Sequence, residues 1–416
     1  MSDRIIRKID GYARRLRCAA DKSVSIRAVI LNGFASGKSI VENLSLCDDV
    51  TSAVGCMREL GASIKLNGST AEIVGAAFRG RKLFCGNSAT VARLLIGLTA
   101  GLNGVFEIDG DASLRSRPMQ RAIDPLISMG AEIKCDNGRL PAIVIGSPLK
   151  GIEYEMPVCS AQVKSAVLLA GINAVGRTVI KERVKTRDHT ENMLCAMGAD
   201  IDCTDDGISV SESILRARDI KIVGDASAAA FPIALALCVR DGECVVENVG
   251  INPTRTAYLD VLRKCGAQIV YSDVCDGDEL YCNINVRSGK LRPMFIGSDE
   301  TPKMIDEIPV LCALACFIDG TSVIEGAGEL RVKESDRLSG TVEALRSLGA
   351  DIYANGDAII INGGKPLCYG TVDPRGDHRI AMTAAIAGAA GSGVNIIGAE
   401  CVSVSYPQFF EEVLGV

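Results

Sequence analysis

Tryptophan is absent from this 416-residue chain, histidine occurs twice, and aromatic residues make up only 4% of it. The core must therefore be filled by Ala, Val, Ile, Leu and Cys, which the hydrophobic content of 48% allows. Nucleotide signatures are missing as well, with no Walker loop and no Gly-x-Gly-x-x-Gly fingerprint. Neither His189, after Asp188, nor His378, after Asp377, has a nucleophile motif or a zinc-ligand partner at useful spacing, so both read as supporting groups. The 17 cysteines form no Cys-x-x-Cys pair and no zinc spacing, and no metal site is expected. Several sit at apolar positions, as in Cys312-Ala313-Leu314-Ala315-Cys316, where a thiol acts as a small hydrophobe. That usage predicts a reducing, cytoplasmic location. Residues 1–17 are charged and lack a signal-peptide core. The most apolar late stretch, 380–398, is broken by Gly, Ser and Asn and reads as a core helix plus a strand, not a membrane span. A net charge of −6 argues against nucleic acid as a partner, but leaves room for a local cationic site.

What the chain has is a repeat. The phrase x-Gly-Ala-x-Ile occurs at Gly61, Gly130, Gly198, Gly266 and Gly349, at a spacing too long for common solenoids. Each copy closes an amphipathic stretch and leads into an apolar one, as expected where Gly stops a helix in the left-handed region and a strand follows. An apolar, Ala-rich helix and a strand precede each of these helices, giving a unit of helix, strand, helix, strand, strand. Six inner helices are predicted, over residues 26–34, 91–102, 163–173, 228–237, 308–317 and 380–390. The sixth copy stops after a second helix at 408–414, and residues 3–9 are candidates for its missing strands. At this length two domains are expected, and six units divide as three and three.

Each inner helix has a polar N-terminal flank: Asp21-Lys22-Ser23, Gly86 to Thr90, Ser160-Ala161-Gln162, Gly224 to Ser227, Ile305-Asp306-Glu307 and Gly376 to Arg379. Capping explains Gly224 to Ser227. At the other flanks, free amides, positive dipole ends and the charges of Lys22, Arg27, Arg93 and Arg379 suit anions. A second basic set lies before the outer helices, including Arg117, Arg187, Arg255, Arg331, Lys333 and Arg337. Arg at repeated helix starts suits phosphate or carboxylate. Asp306 and Glu334 stand out against this background as a candidate base and acid.

The ordered motifs are specific as a set. They are Asp21 to Arg27, Gly86-Asn87-Ser88-Ala89-Thr90, Arg117-Pro118-Met119, Ser160 to Ser165, Thr186 to Glu191, Asn252 to Arg255, Arg331 to Arg337 and Asp377 to Met382. Over nearly its whole length the chain resembles the 5-enolpyruvylshikimate-3-phosphate (EPSP) synthase family, in its class II bacterial form. The resemblance implies an α+β fold of two three-fold pseudo-symmetric domains, an inside-out α/β barrel arrangement. Residues 21–223 would form the phosphoshikimate side; residues 1–20 and 224–416 would form the other. It implies a monomeric enolpyruvyl (carboxyvinyl) transferase of the shikimate pathway, making a precursor of chorismate and the aromatic amino acids. The enzyme would move enolpyruvyl from phosphoenolpyruvate to the 5-hydroxyl of shikimate 3-phosphate and release phosphate, with no cofactor. Lys22, Asp306 and Glu334 would be catalytic. Lys22, Ser23, Arg27, Ser160, Ala161, Gln162, Arg187, Asp306 and Lys333 would hold shikimate 3-phosphate. Lys22, Asn87, Ala89, Arg117, Gln162, Arg337 and Arg379 would hold phosphoenolpyruvate.

Two alternatives compete. A transferase acting on a UDP-sugar normally presents a Cys on the loop matching residues 111–118, and here that loop has none. A non-catalytic scaffold binding an anion would gain nothing from Asp306 and Glu334.

Ala89 departs from the Gly common in the family, and its methyl is expected to disfavour molecules longer than phosphoenolpyruvate. The resemblance puts glyphosate, which is longer, in that site. Overpacking of this size costs ~1–3 kcal/mol, or roughly tenfold to a hundredfold in affinity. Glyphosate is therefore expected to inhibit the Ala89→Gly variant that much more strongly, with a smaller change in KM for phosphoenolpyruvate. Parallel changes in both constants, or no change in either, would refute the steric account.

Overall fold

Six helices are apolar on nearly every face, and a helix of that kind is stable only when surrounded. They are α1 (Lys22–Phe34), α2 (Ala89–Ala100), α3 (Ala161–Gly171), α4 (Ala226–Cys238), α5 (Ile308–Ala315) and α6 (His378–Ala390). In the computed structural model, which describes residues 3–416, α5 is buried throughout and α4 is buried from Ala226 to Leu237. The chain divides into two compact units, Met1–Asp21 with Val223–Val416, and Lys22–Ile222. Helices α4, α5 and α6 pack on one another in the first unit; in the second, α2 packs on α3 and touches α1. At Gly97 of α2 an added Cβ would lie 2.2 Å from the carbonyl oxygen of Ala166 on α3, so only glycine permits this approach.

Sheets cover the inner helices. In the second copy the spatial order is Lys82–Phe84, Val105–Asp109, Arg139–Ile145, Glu132–Asp136, with the first pair parallel and the others antiparallel. Buried and exposed residues alternate along Arg139–Ile145, as a sheet with one solvated face requires. The same order recurs in four further four-stranded sheets.

The structure adds one element to the predicted unit, a short strand ahead of each inner helix. Lys82–Phe84, Glu153–Glu155, Phe295–Ile296 and Gly370–Val372 each run parallel to the strand after their own inner helix. Two or three residues are too few to show a period, so the sequence gives no sign of them. In the first and fourth copies these leading strands are exchanged. Ala13–Arg17, ahead of α1, pairs with Glu243–Gly250 of the fourth copy, while Ile220–Lys221, ahead of α4, pairs with Lys38–Glu42 of the first. In the sixth copy Arg4–Ile6 pairs antiparallel with Val394–Ile396 and supplies one of the two strands that copy lacks. Its second helix is a π-helical turn at Phe410–Leu414, shorter than the sequence suggests.

The repeated phrase has one backbone solution. Gly61, Gly130, Gly198, Gly266 and Gly349 all have φ between +85° and +110°. Each following Ala donates its N–H to the carbonyl five residues back, as Ala62 does to Met57 and Ala350 to Leu345. Each Gly donates to the carbonyl three back, which completes a Schellman stop. Arg58, Arg263 and Arg346 add a side-chain bond to the carbonyls of Ile64, Ile269 and Ile352, tying helix end to next strand.

Two glycines separate backbone conformation from packing. A Cβ would meet nothing within 4 Å at either Gly198 (φ +87°) or Gly55, which lies inside the exposed face of helix Asp48–Glu59. Gly198→Ala is expected to cost about 1–2 kcal/mol through left-handed strain. Gly55→Ala should instead add roughly 0.5–1 kcal/mol. Urea unfolding of both variants checks this, and shifts of the same sign would contradict it.

Candidate active site

In the Lys22–Ile222 unit the inner-helix starts are joined by side-chain bonds. Lys22 opens α1 with its Nζ 2.8 Å from Asp49 Oδ2, both side chains mostly buried. Asp49 lies in the first turn of helix Asp48–Glu59, where the dipole favours an acid. That helix also passes the loop before α2: an added Cβ at Gly86 would meet Ser52 Oγ, and Cys56 Sγ lies 3.9 Å from Cys85 Sγ. The loop holds Asn87, whose amide donates to Asp111 Oδ2 at 3.0 Å and accepts from Arg117 Nη2. Ala89, the first residue of α2, is buried. Gln162 on α3 donates to Thr90 Oγ1 at 3.0 Å and accepts from Arg93, whose Nη2 donates to the Pro118 carbonyl at 2.8 Å. Arg27 is buried and donates to Thr190 Oγ1 at 2.7 Å, to the Ser23 carbonyl at 3.0 Å and to Ser165 Oγ at 3.1 Å. Arg187 is half-buried on the loop before helix His189–Ala196.

Ser88 and Ser160 cap α2 and α3, accepting from the N–H of Val91 and Val163. Capping, which the sequence suggested mainly for Gly224 to Ser227, therefore accounts for these flanks too. It leaves each hydroxyl proton to donate elsewhere, since a serine accepts and donates independently.

In the other unit the centre is Arg337, the first residue of helix Arg337–Ser347 and almost fully buried. Its Nε lies 3.0 Å from Asp377 Oδ2, its Nη2 reaches Asp377 Oδ1 and Glu334 Oε2, and its Nη1 lies 3.4 Å from Asp306 Oδ1. Burial alone would weaken the guanidinium's hold on its proton, but Asp377, Glu334 and Asp306 outweigh it and raise the pKa. Asp377 faces the same contest. Burial would raise its carboxyl, and the charge of Arg337 prevails and lowers it. Asp377 also caps α6 through the N–H of Arg379 at 2.9 Å and accepts from Ser335 Oγ at 2.9 Å. Lys333 Nζ lies 3.9 Å from Asp306 Oδ1, and Arg379 Nη1 donates to the Asp306 carbonyl at 2.7 Å. The structure thus gathers Asp306, Lys333, Glu334, Arg337 and Arg379 into one cluster.

One expectation needs correction. Arg255 was placed with the anion-binding loops, but it is buried against Asp21 Oδ2 at 2.8 Å and Asp225 Oδ1 at 2.7 Å, and it holds the fold. Arg331 is exposed and pairs with Asp336 at the surface. Asp49, Ser165, Thr190 and Asp377 were not singled out as site groups, although each orients one. The available signals were the acidic pair Asp48-Asp49 at a helix start and the position of Asp377 between Gly376 and His378. Among the described residues, no group of three or more His, Cys, Asp or Glu is arranged to hold a metal ion.

Two sets of three copies, with cations in the first two turns of four of the six inner helices, define a fold shared with the enolpyruvyl transferases. A solved EPSP synthase from Acinetobacter baumannii is similar at a TM-score of 0.87 and 34% identity, covering 100% of this chain and 98% of that one. The enolpyruvyl transferase NikO from Streptomyces tendae matches at 0.78 and 17% identity over 99% of this chain and 96% of that one, a likeness of fold alone. The family model described as EPSP synthase (3-phosphoshikimate 1-carboxyvinyltransferase) matches residues 6–413. A 3-phosphoshikimate 1-carboxyvinyltransferase from Desulforudis audaxviator is 44% identical over 415 residues, covering 95% of this chain and 96% of its own. One from Gloeobacter violaceus is 43% identical, with 96% of each chain covered. The chain belongs to the EPSP synthase family.

The Arg337 cluster makes a pH prediction. A depressed folded pKa at Asp377 contributes stability that is full above the unfolded value, about 4, and lost as pH falls through the folded value. Asp377→Asn, which leaves the buried guanidinium with only Glu334 and Asp306, should cost about 1–3 kcal/mol at neutral pH. The gap to the wild type should be constant above about pH 4–5 and narrow below it. Denaturant unfolding from pH 3 to pH 7 checks this, and a gap that widens in acid would contradict it.

Proposed function

We propose that this chain transfers the enolpyruvyl group of phosphoenolpyruvate to the 5-hydroxyl of shikimate 3-phosphate and releases phosphate. The observation that carries the proposal is the division of charge. Buried or half-buried cations stand at the inner-helix starts of one unit, and in the other two carboxylates suited to proton transfer flank Arg337. Two multiply charged anions require such a cationic, pre-arranged environment.

In this proposal Ser23, Arg27, Ser160, the Ala161 backbone, Gln162, Arg187 and Lys333 hold shikimate 3-phosphate. Asn87, Arg117, Gln162, Arg337 and Arg379 hold phosphoenolpyruvate, with Ala89 limiting its space. Lys22 serves both. Asp306 orients the 5-hydroxyl and takes its proton as oxygen attacks C2 of phosphoenolpyruvate. Glu334 delivers a proton to C3, making a methyl group on the tetrahedral intermediate. In the second half the C2–O bond to phosphate breaks, the leaving phosphate takes up the proton held by Asp306, Glu334 recovers a proton from that methyl, and the vinyl ether forms.

The contacts of Arg337 add a step of their own. An anion gains this guanidinium in competition with Glu334 or Asp306, which already occupy it. Displacing Glu334 from its cation makes the carboxylate more basic, as proton removal requires. A cytoplasmic, monomeric enzyme belongs to the same proposal. The location is supported by 17 cysteines that no disulfide joins.

A coupled phosphate-release assay tests the reaction. The wild type should release phosphate only when both substrates are present. Lys22→Ala and Arg117→Ala should each lose charge-assisted contacts worth on the order of 1.5–3 kcal/mol, or roughly tenfold to a hundredfold in kcat/KM, while melting cooperatively. Near-normal turnover in either variant would remove that residue from the site.

A further inference from the structure

Lys164 is a fully buried lysine in the first turns of α3, one position before Ser165. An ammonium leaves water only when paired. Its Nζ lies 2.6 Å from Glu191 Oε1 and 2.9 Å from Glu182 Oε2, and it donates to the Thr186 carbonyl at 3.4 Å. Glu182 closes the circuit, its Oε1 accepting from the Thr186 N–H at 3.1 Å and from the Thr186 hydroxyl. The segment from Glu182 to Glu191 is thus drawn around one ammonium, and Arg187 directly follows the residue held at three of its atoms.

Stability does not explain this arrangement. Burial pushes the Glu191 carboxyl up in spite of Lys164, so the site carries a desolvation cost. A packed apolar trio would be at least as stable as buried charges. The neighbouring residue offers another reason. Ser165 Oγ lies 2.6 Å from Thr190 Oγ1, and both hydroxyls accept from Arg27. One turn of α3 therefore fixes the segment bearing Arg187 through Lys164 and the guanidinium of Arg27 through Ser165.

We propose that Lys164 is a positioning residue for shikimate 3-phosphate, acting through the loop that presents Arg187. The inference rests on the role given to Arg187 above. The test is a double-mutant cycle on the full chain, with Lys164→Met and Arg187→Ala made singly and together and KM measured for each substrate. Lys164→Met should raise KM for shikimate 3-phosphate about tenfold to a hundredfold and leave KM for phosphoenolpyruvate within about twofold. The double variant should be no worse than Arg187→Ala, because residues acting through one another are not additive. Thr186→Val, which removes only the hydroxyl that Glu182 accepts, decides the matter if Lys164→Met does not fold. It should shift the same KM by a smaller factor, and this effect should vanish beside Arg187→Ala. Equal rises in both KM values, or additive losses in the double variant, would overturn the proposal. If the wild type releases no phosphate, the proposed function falls and this inference with it. An active wild type whose Lys164 and Arg187 variants behave independently overturns this inference alone.

Discussion

The structure depends on six helices that can be solvated only at their ends. Each is apolar on nearly every face, so sheets, outer helices and other inner helices must enclose it. Charged groups are then confined to the first two turns of these helices, where free amides and the dipole already favour anions. That confinement explains why capping residues and candidate binding residues occupy the same few positions. The leading strands follow from the same need, since each extends a covering sheet, four of them in their own copy. Their exchange between the first and fourth copies lets each unit complete a four-stranded sheet with a strand from a distant part of the chain.

Concentrating cations at helix starts creates repulsion that the fold must absorb. Four cations are accordingly matched with carboxylates: Lys22 with Asp49, Lys164 with Glu182 and Glu191, Arg255 with Asp21 and Asp225, and Arg337 with Asp377, Glu334 and Asp306, while Arg27, Arg117 and Arg379 bond hydroxyl, amide and carbonyl oxygens. Some of these pairs are permanent, because both partners are enclosed and serve as caps or ties. Others combine one group assigned to a substrate with a carboxylate that a substrate anion can replace. In the second kind, the proposed function makes binding an exchange of anions rather than the filling of an empty cationic pocket, leaving a carboxylate ready to take a proton.

The repeat was legible because a helix stop has few solutions. Five glycines at matching positions, each followed by Ala and two residues later by Ile, marked five of the six copies, and the φ angles and stop bonds give the reason. Most leading strands were not legible because two or three residues show no period, and the five-residue Ala13–Arg17 carries three arginines and no alternation. Lys22, Arg117 and Arg337 could be named from position and charge. Separating them from Arg255 could not be done that way, since Arg255 occupies a matching loop and carries the same charge. Its partners distinguish it: Asp21 and Asp225, 234 and 30 residues away, carry no role toward a substrate or a proton, whereas Glu334 and Asp306 on Arg337 are the candidate acid and base. Sequence patterns identify which positions can bear a function; the partners across the fold decide which of them do.

The central claim is that the inner-helix starts gather the substrates, except at α4, where Asp225 serves capping and the tie to Arg255. Backbone amide shifts of the isotopically labelled chain test it most directly, with shikimate 3-phosphate added first and an unreactive phosphoenolpyruvate analogue second. The account predicts that the largest changes fall at residues 22–27, 86–91, 160–165 and 186–190, and with the analogue also at 305–307, 333–337 and 377–380. Residues 225–228 at the start of α4 should move least among the six starts. Comparable shifts at the α4 start, or largest shifts away from the helix starts, would contradict the account.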